Sequence, residues 1–154
     1  MPSLRLCVTV ATQTMEVWKG DELLRTYPVS TSRFGLGTEE GSFKTPLGSF
    51  EICEKHGGEK PLHTIFKERK PAGKWNPDQT PGEEDLILAR ILRLHGLEDN
   101  NSNSYQRYIY IHGTNHEDRI GTPASHGCVR MKNNDVAELY DLMPLGSPVQ
   151  ISRD

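Results

Sequence analysis

Between positions 112 and 128 the chain carries His112, His116, His126 and Cys128, three histidines and a cysteine within 17 consecutive residues. The run reads Ile111-His112-Gly113-Thr114-Asn115-His116, then Ile120-Gly121 and Pro123, then Ser125-His126-Gly127-Cys128-Val129-Arg130-Met131. A free thiol with a pKa of about 8.5 is mostly protonated at neutral pH, and a neighbouring imidazolium lowers that value and yields the thiolate. Histidine plus cysteine is therefore the minimal equipment of a covalent nucleophile. Gly127 beside the thiol lets backbone N–H groups approach an oxyanion closely, and one such donor is worth about 2.7–4 kcal/mol of barrier. The dipole of a helix starting near Asn133 acts mainly within its first turn, so histidine is the expected activator of the thiol.

The same residues admit other readings. His112, His116, His126 and Cys128 could supply four zinc ligands, although Gly113 and the β-like run before it argue against the helix that a four-residue histidine spacing would suit. Spacing alone also leaves the base open. His126 lies two residues from the thiol and could share its side of an extended segment, whereas His112 would approach from another strand. Cys7 and Cys53 sit on strand-like runs and read as small buried hydrophobes. A nucleophilic Cys128 is expected to react with iodoacetamide at neutral pH faster than either of them.

Several elements must position these groups. Leu4, Leu6, Val8 and Val10 alternate with polar or smaller residues, the period of a half-buried strand. Met15 to Lys19 and Glu22 to Val29 read as two strands joined at Gly20-Asp21. Thr45-Pro46-Leu47-Gly48 is a turn leading into a fourth strand at Phe50-Glu51-Ile52-Cys53. From 54 to 85 the chain is charged, with Pro61, Pro71, Pro77 and Pro81 predicting an inserted surface loop without long regular structure that could rim a binding site. Alternation over Ile91 to Leu94 favours a strand at Leu86 to Leu94, and β-branched and aromatic residues predict another at Arg107 to His112. Val136, Leu139, Tyr140 and Met143 fall on one helical face, with Asn133 or Asn134 as cap and Pro144 and Gly146 as stop. Val149 to Ile151 closes the chain as a strand. The fold class is mainly β, with one short C-terminal helix and a long inserted loop.

Length and composition fit one domain over residues 1–154. Only 34% of residues are hydrophobic and mean hydropathy is −0.62, so a modest core carries much polar surface. A net charge of −3 supplies no broad positive field for a phosphate backbone, which argues against nucleic acid as a partner. Arg90 and Arg93 interrupt the best apolar stretch, far short of the roughly 20 residues a bilayer span needs. Thr12, Gln13 and Thr14 end the opening apolar run, and no small-residue cleavage site follows, so a non-exported, cytoplasmic protein is expected.

The histidine closing a strand, the spacer, and Ser125-His126-Gly127-Cys128 followed by Val129 and Arg130 resemble the signature of the L,D-transpeptidase (YkuD-type) catalytic domain family. Gly41 with Thr45-Pro46-Leu47-Gly48-Ser49-Phe50 is similar to the family's Thr-Pro-x-Gly-x-Phe stretch, and the likeness covers most of the chain outside 54–85. The resemblance implies a β-sandwich or mixed-sheet domain, without metal or cofactor, that performs cysteine acyl transfer on peptidoglycan stem peptides. It also implies His112 as base, Cys128 as nucleophile and the Gly113 carbonyl as the group orienting the imidazole. Gly127 and Cys128 N–H groups would form the oxyanion hole, Ser125 and His126 would shape the site, and Arg130 and Thr114 are candidates for substrate contact, with a structural salt bridge the competing role for Arg130. The stretch from Arg107 to Thr114 with Pro123-Ala124-Ser125 looks like the cytoplasmic L,D-carboxypeptidases of this family, which remove terminal D-Ala from recycled tetrapeptide stems. Crosslinking of stems by transpeptidation is the alternative outcome of the same thioester. A non-catalytic muropeptide-binding module is a third reading, disfavoured because binding alone requires no thiolate.

Overall fold

The computed structural model describes residues 3–154; Met1 and Pro2 of the opening stretch lie outside the described residues. The meander expected from alternation is present as β1 (Leu4–Thr9), β2 (Thr14–Lys19) and β3 (Glu22–Pro28). β4 (Gly48–His56), β5 (Thr64–Lys67), β6 (Lys70–Lys74), β7 (Ile87–Gly96), β8 (Tyr110–Thr114), β9 (Val129–Met131) and β10 (Pro148–Ser152) complete one mixed sheet. Its main path runs β3-β2-β1-β10-β4-β7-β5-β6, with β8 on the other side of β7 and β9 beyond β8. β1 with β10 and β8 with β9 pair parallel, and the other neighbours pair antiparallel. The one α-helix among the described residues, α1 (Asn133–Leu142), buries Val136 and Leu139 against the sheet.

Alternation gives this sheet two unlike faces. Ile109, Ile111, Val129 and Met131 join Leu88, Leu92, Leu94, Phe50 and Ile52 in the main core under α1. Tyr110 on the opposite face packs instead with Phe66 and Ile91, and Cys128 lies against that second cluster. β7 switches between the clusters at a bulge between Leu88 and Ile91, where buried Ala89 takes a left-handed φ of 68°.

The structure corrects three sequence expectations. The 54–85 segment is not a loop throughout: β4 continues to His56, and β5 with β6 forms a hairpin that extends the sheet. β6 is an exposed edge strand, the setting in which Pro71 is tolerated, and its Lys-Pro-Ala-Gly-Lys sequence shows no apolar alternation. The helix is also capped differently. Lys132 is its N-cap without a side-chain bond, and the Asn133 N–H donates to Glu117 Oε2 at 2.7 Å. The Asn133 side chain turns to β8 instead, where Oδ1 accepts the Thr114 N–H and Nδ2 donates to the Thr114 carbonyl, both at 3.0 Å. The C-terminal carbonyls of Tyr140 and Met143 accept from Lys55 Nζ at 2.6 and 2.8 Å. Tyr110, placed near the end of the predicted strand, opens the observed one, because Tyr108 at φ 57° and the turns before it keep the chain irregular.

Asn133 ties helix to strand inside the protein, so Asn133→Ala strips partners from two buried backbone groups. At about 1–3 kcal/mol for each orphaned group, it is expected to lower unfolding stability by roughly 2–6 kcal/mol, against about 1 kcal/mol for Glu117→Ala at the helix start. Urea unfolding of the two variants checks this, and the reverse order would contradict the assignment.

Candidate active site

The parallel register of β8 and β9 builds the site. Ile111 pairs with Val129, His112 with Arg130 and Gly113 with Met131, so Cys128, just before β9, stands beside Tyr110. Side-chain alternation then puts Cys128, Arg130, Tyr110 and His112 on the face turned away from α1. A strand spacing of ~4.8 Å and a rise of ~3.3 Å per residue separate the Cα atoms of Cys128 and His112 by roughly 8 Å on that face. Gly113 must lack a side chain for this packing, since a Cβ there would lie 2.2 Å from Asn133 Oδ1 and 2.7 Å from the Leu88 carbonyl.

His112 is buried, and its Nδ1 lies 2.5 Å from the Gly113 carbonyl. A carbonyl only accepts, so Nδ1 carries the proton and Nε2 keeps its lone pair. Burial holds the His112 pKa below the ordinary imidazole value, opposed by the Asp85 charge and the Gly113 bond and aided by Arg130. The ring is thus a neutral base at neutral pH. Cys128 is half-buried; its Sγ accepts the Tyr110 N–H at 3.4 Å and donates to the Tyr108 carbonyl at 3.3 Å. Burial, with the Asp85 charge adding, pushes its thiol up to about 12, against the opposing Tyr110 N–H, Arg130 and Arg107. Burial thus favours the thiol over the thiolate at Cys128, beside a neutral imidazole at His112. Cys7 and Cys53 are also only half-buried, and burial raises the Cys53 thiol as well.

The turn leading to Cys128 is held by its own side chains. Ser125 Oγ donates to the Cys128 carbonyl at 2.6 Å and accepts the Gly127 N–H at 3.2 Å. Gly127 takes φ 119°, and its carbonyl accepts from Thr45 Oγ1 at 3.0 Å, which explains what the Thr-Pro-Leu-Gly stretch contributes. Because the Gly127 amide is engaged by Ser125, it is not free for an oxyanion in this geometry. His126 is exposed, packs on the rings of Phe34 and Phe43, and places Nδ1 3.2 Å from Asp85 Oδ2. Arg130 is 1% exposed and its Nη2 meets Asp85 Oδ1 at 2.8 Å, so the structural ion pair is what the site contains rather than a guanidinium presented to substrate. Thr114 is likewise corrected. It is fully buried, its amide and carbonyl serve Asn133, and its hydroxyl accepts the His116 N–H at 3.0 Å.

The four residues of the zinc reading are dispersed. His116 Nε2 bonds the Gly82 carbonyl at 2.6 Å, His112 bonds Gly113, and His126 faces Asp85. Among the described residues no group of three or more His, Cys, Asp or Glu side chains converges on a metal position, and no helix is long and apolar enough to cross a membrane.

Residues that the sequence did not single out complete the site. Asp85 ends the segment expected to be loop, with nothing local to mark it. Arg107 donates to the Lys44 carbonyl at 2.7 Å and lies close enough to feel the charge of Cys128. Tyr108 and Tyr110, whose backbone holds the sulfur, line a cavity of about 500 Å³ with Ile87, Glu68 and Arg69. Arg69, from the β5–β6 turn, donates to the Tyr110 hydroxyl at 3.0 Å and lies over the Tyr108 ring. The alternation of Tyr108 and Tyr110 with isoleucine was the available signal that both rings leave the core face.

The L,D-transpeptidase catalytic domain family, YkuD, matches residues 3–151. YkuD of Bacillus licheniformis, named as an L,D-transpeptidase, is 28% identical over 148 residues, covering 96% of this chain and 65% of its own length. YbiS of Escherichia coli K12, also named as an L,D-transpeptidase, is 36% identical over 113 residues, 68% of this chain and 36% of the relative. An L,D-transpeptidase from Mycobacterium smegmatis superimposes with a TM-score of 0.64 at 18% identity, over 98% of this chain and 59% of that one. L,D-transpeptidase 3 from Mycobacterium tuberculosis, solved with a faropenem-derived adduct, does so with a TM-score of 0.63 at 17% identity, over 99% and 61%. The chain thus spans less than two thirds of the relatives' length, and the likeness to the solved structures is one of fold. On the match across 3–151, the chain belongs to the L,D-transpeptidase (YkuD) catalytic domain family.

Proposed function

We propose that this protein is a cysteine acyl-transfer enzyme of peptidoglycan metabolism, acting as an L,D-carboxypeptidase that removes terminal D-Ala from tetrapeptide stems. The observation that carries the reading is the lock of His112 Nδ1 on the Gly113 carbonyl, which leaves Nε2 as a base on the face that holds Cys128. Binding alone gives no reason for a tautomer fixed in this way beside a thiol, and that weighs against a muropeptide-binding module.

The stem lies in the cavity bounded by Tyr108, Tyr110 and Arg69, with its scissile carbonyl at the sulfur. His112 Nε2 takes the thiol proton as Sγ adds to the carbonyl on the L-centre of the diamino acid. The Cys128 amide meets the oxyanion, joined by the Gly127 amide once it leaves its long bond with Ser125. Collapse expels D-Ala as the imidazolium returns the proton to the leaving amine, and a thioester remains on Cys128. Water, deprotonated by His112, then releases the shortened stem and restores the thiol. Free muropeptides in the cytoplasm are the matching substrate. One observation favours transfer instead: the exposed Phe34 and Phe43 with His126 form an apolar patch beside the nucleophile's turn, lined by none of the cavity residues, where a second stem would fit.

Incubation with a disaccharide tetrapeptide ending in D-Ala, followed by mass, is expected to yield tripeptide and D-Ala. Dimers, or exchange with an added D-amino acid, would establish transfer, and no turnover by folded protein would overturn both readings. Cys128→Ala should form no thioester, and His112→Ala should lower kcat/KM by roughly 10²–10⁴-fold, with a smaller loss for His126→Ala. If His126→Ala costs more, the base is misassigned. The pH dependence follows from the directions of the shifts. With His112 lowered, the base stays deprotonated further into acid, so the acid limb of kcat/KM should fall below about 6.5. With the thiol near 12, iodoacetamide should alkylate the free enzyme slowly at pH 7 and faster as pH rises, and fast neutral alkylation would show the resting state to be a thiolate.

A further inference from the structure

Asp85 lies near the end of the irregular segment that follows β6, and the chain around it is tied down at several residues. His116 Nε2 donates to the Gly82 carbonyl at 2.6 Å, Asn115 Nδ2 donates to the Glu84 carbonyl at 2.9 Å, and the Leu86 N–H donates to Asn115 Oδ1 at 3.1 Å. Asn115 and His116 are buried and directly follow β8, the strand that carries His112. The strap therefore fixes Asp85 relative to His112. From that position Oδ1 accepts from Arg130 Nη2 at 2.8 Å and Oδ2 faces His126 Nδ1 at 3.2 Å. His126 and Arg130 stand two residues before and two after Cys128, so one carboxylate spans the nucleophile.

Charge balance demands this carboxylate. Arg130 is 1% exposed and its Nε and Nη1 have no partner, so without Asp85 it would be a buried cation with no compensating anion. We propose that Asp85 is a positioning residue of the site, clamping His126 and Arg130 across the nucleophile's turn and setting the field that His112 and Cys128 share. The proposal rests on the reading of Cys128 as nucleophile and His112 as base. The charged and titratable groups in play are His112 from β8, Arg130 from β9, His126 and Cys128 from the turn between them, and Arg107, which opposes Asp85 at the sulfur. The negative charge makes the imidazole a stronger base and resists ionisation of the thiol.

The test compares wild type with Asp85→Asn and Asp85→Glu. Alkylation of Cys128 by iodoacetamide is followed against pH, resolved from Cys7 and Cys53 by peptide mass, and kcat/KM is measured on the tetrapeptide stem. In Asp85→Asn the alkylation profile should move to lower pH by about one unit while kcat/KM falls about tenfold or more, and Asp85→Glu should recover much of both. Should Asp85→Asn fail to fold, Asn115→Ser, which loosens the strap and leaves the carboxylate in place, should move both readouts in the same directions by less. An alkylation profile that stays at the wild-type position, or moves to higher pH, would overturn the proposal even if activity fell. Alkylation needs no stem, so a wild type that turns over no stem refutes the proposed substrate, while the shift in the alkylation profile still decides the role of Asp85.

Discussion

The parallel pairing of β8 with β9 is the constraint on which the site depends. A shift of one residue would carry Cys128 and Arg130 to the α1 side and leave Val129 and Met131 on the face that carries Tyr110 and His112, because alternation admits no intermediate. The register is therefore enforced by burial of Ile111, Val129 and Met131 in the main core. β9 is also held on its second side, where the Arg130 N–H donates to the Ser30 carbonyl and the Ser30 N–H to the Arg130 carbonyl, both at 2.9 Å. A three-residue strand gripped on both edges holds Cys128 at its entrance in a fixed register.

Electrostatics in this frame favour neutral partners before substrate arrives. Burial disfavours imidazolium and thiolate alike, so the low-energy state of the pair is one proton on sulfur and one on Nδ1. The proton on Nδ1 is pinned by Gly113, which removes the need for a side-chain acid to orient the ring. Burial around the sulfur thus keeps the proton on Cys128, while the Gly113 carbonyl leaves Nε2 of His112 unprotonated.

The insertion belongs to the same machinery. Its hairpin brings Arg69 against the rings of Tyr108 and Tyr110 and makes one wall of the cavity, while its last residue compensates the buried Arg130. Between these ends the segment from 75 to 86 has no regular structure, yet it is tied down where the Trp75 N–H donates to the His63 carbonyl and where the buried Asn115 and His116 bond its Gly82, Glu84 and Leu86 backbone groups. A segment rich in proline and charge can thus be well placed when side chains of a core strand's continuation supply the partners its own backbone lacks.

Pieces whose cause is local could be read from residue order alone. Alternation marked the opening strands, helical spacing marked α1, and the proximity of His112, Gly127 and Cys128 to one another in type and spacing marked the chemistry. The strand at 110–114 was legible in kind but not in its start, because the positive φ of Tyr108 leaves no trace in residue type. The hairpin at 64–74 was hidden because an exposed edge strand needs no apolar period. Tertiary structure alone decided the rest. Pairing β8 with β9 chose the face on which His112 and Cys128 lie and buried Arg130, and the strap held by Asn115 and His116 brought Asp85 to His126 across 41 positions of sequence. The physical reason is that register, burial and charge compensation are properties of pairs of segments, and no single segment carries the identity of its partner.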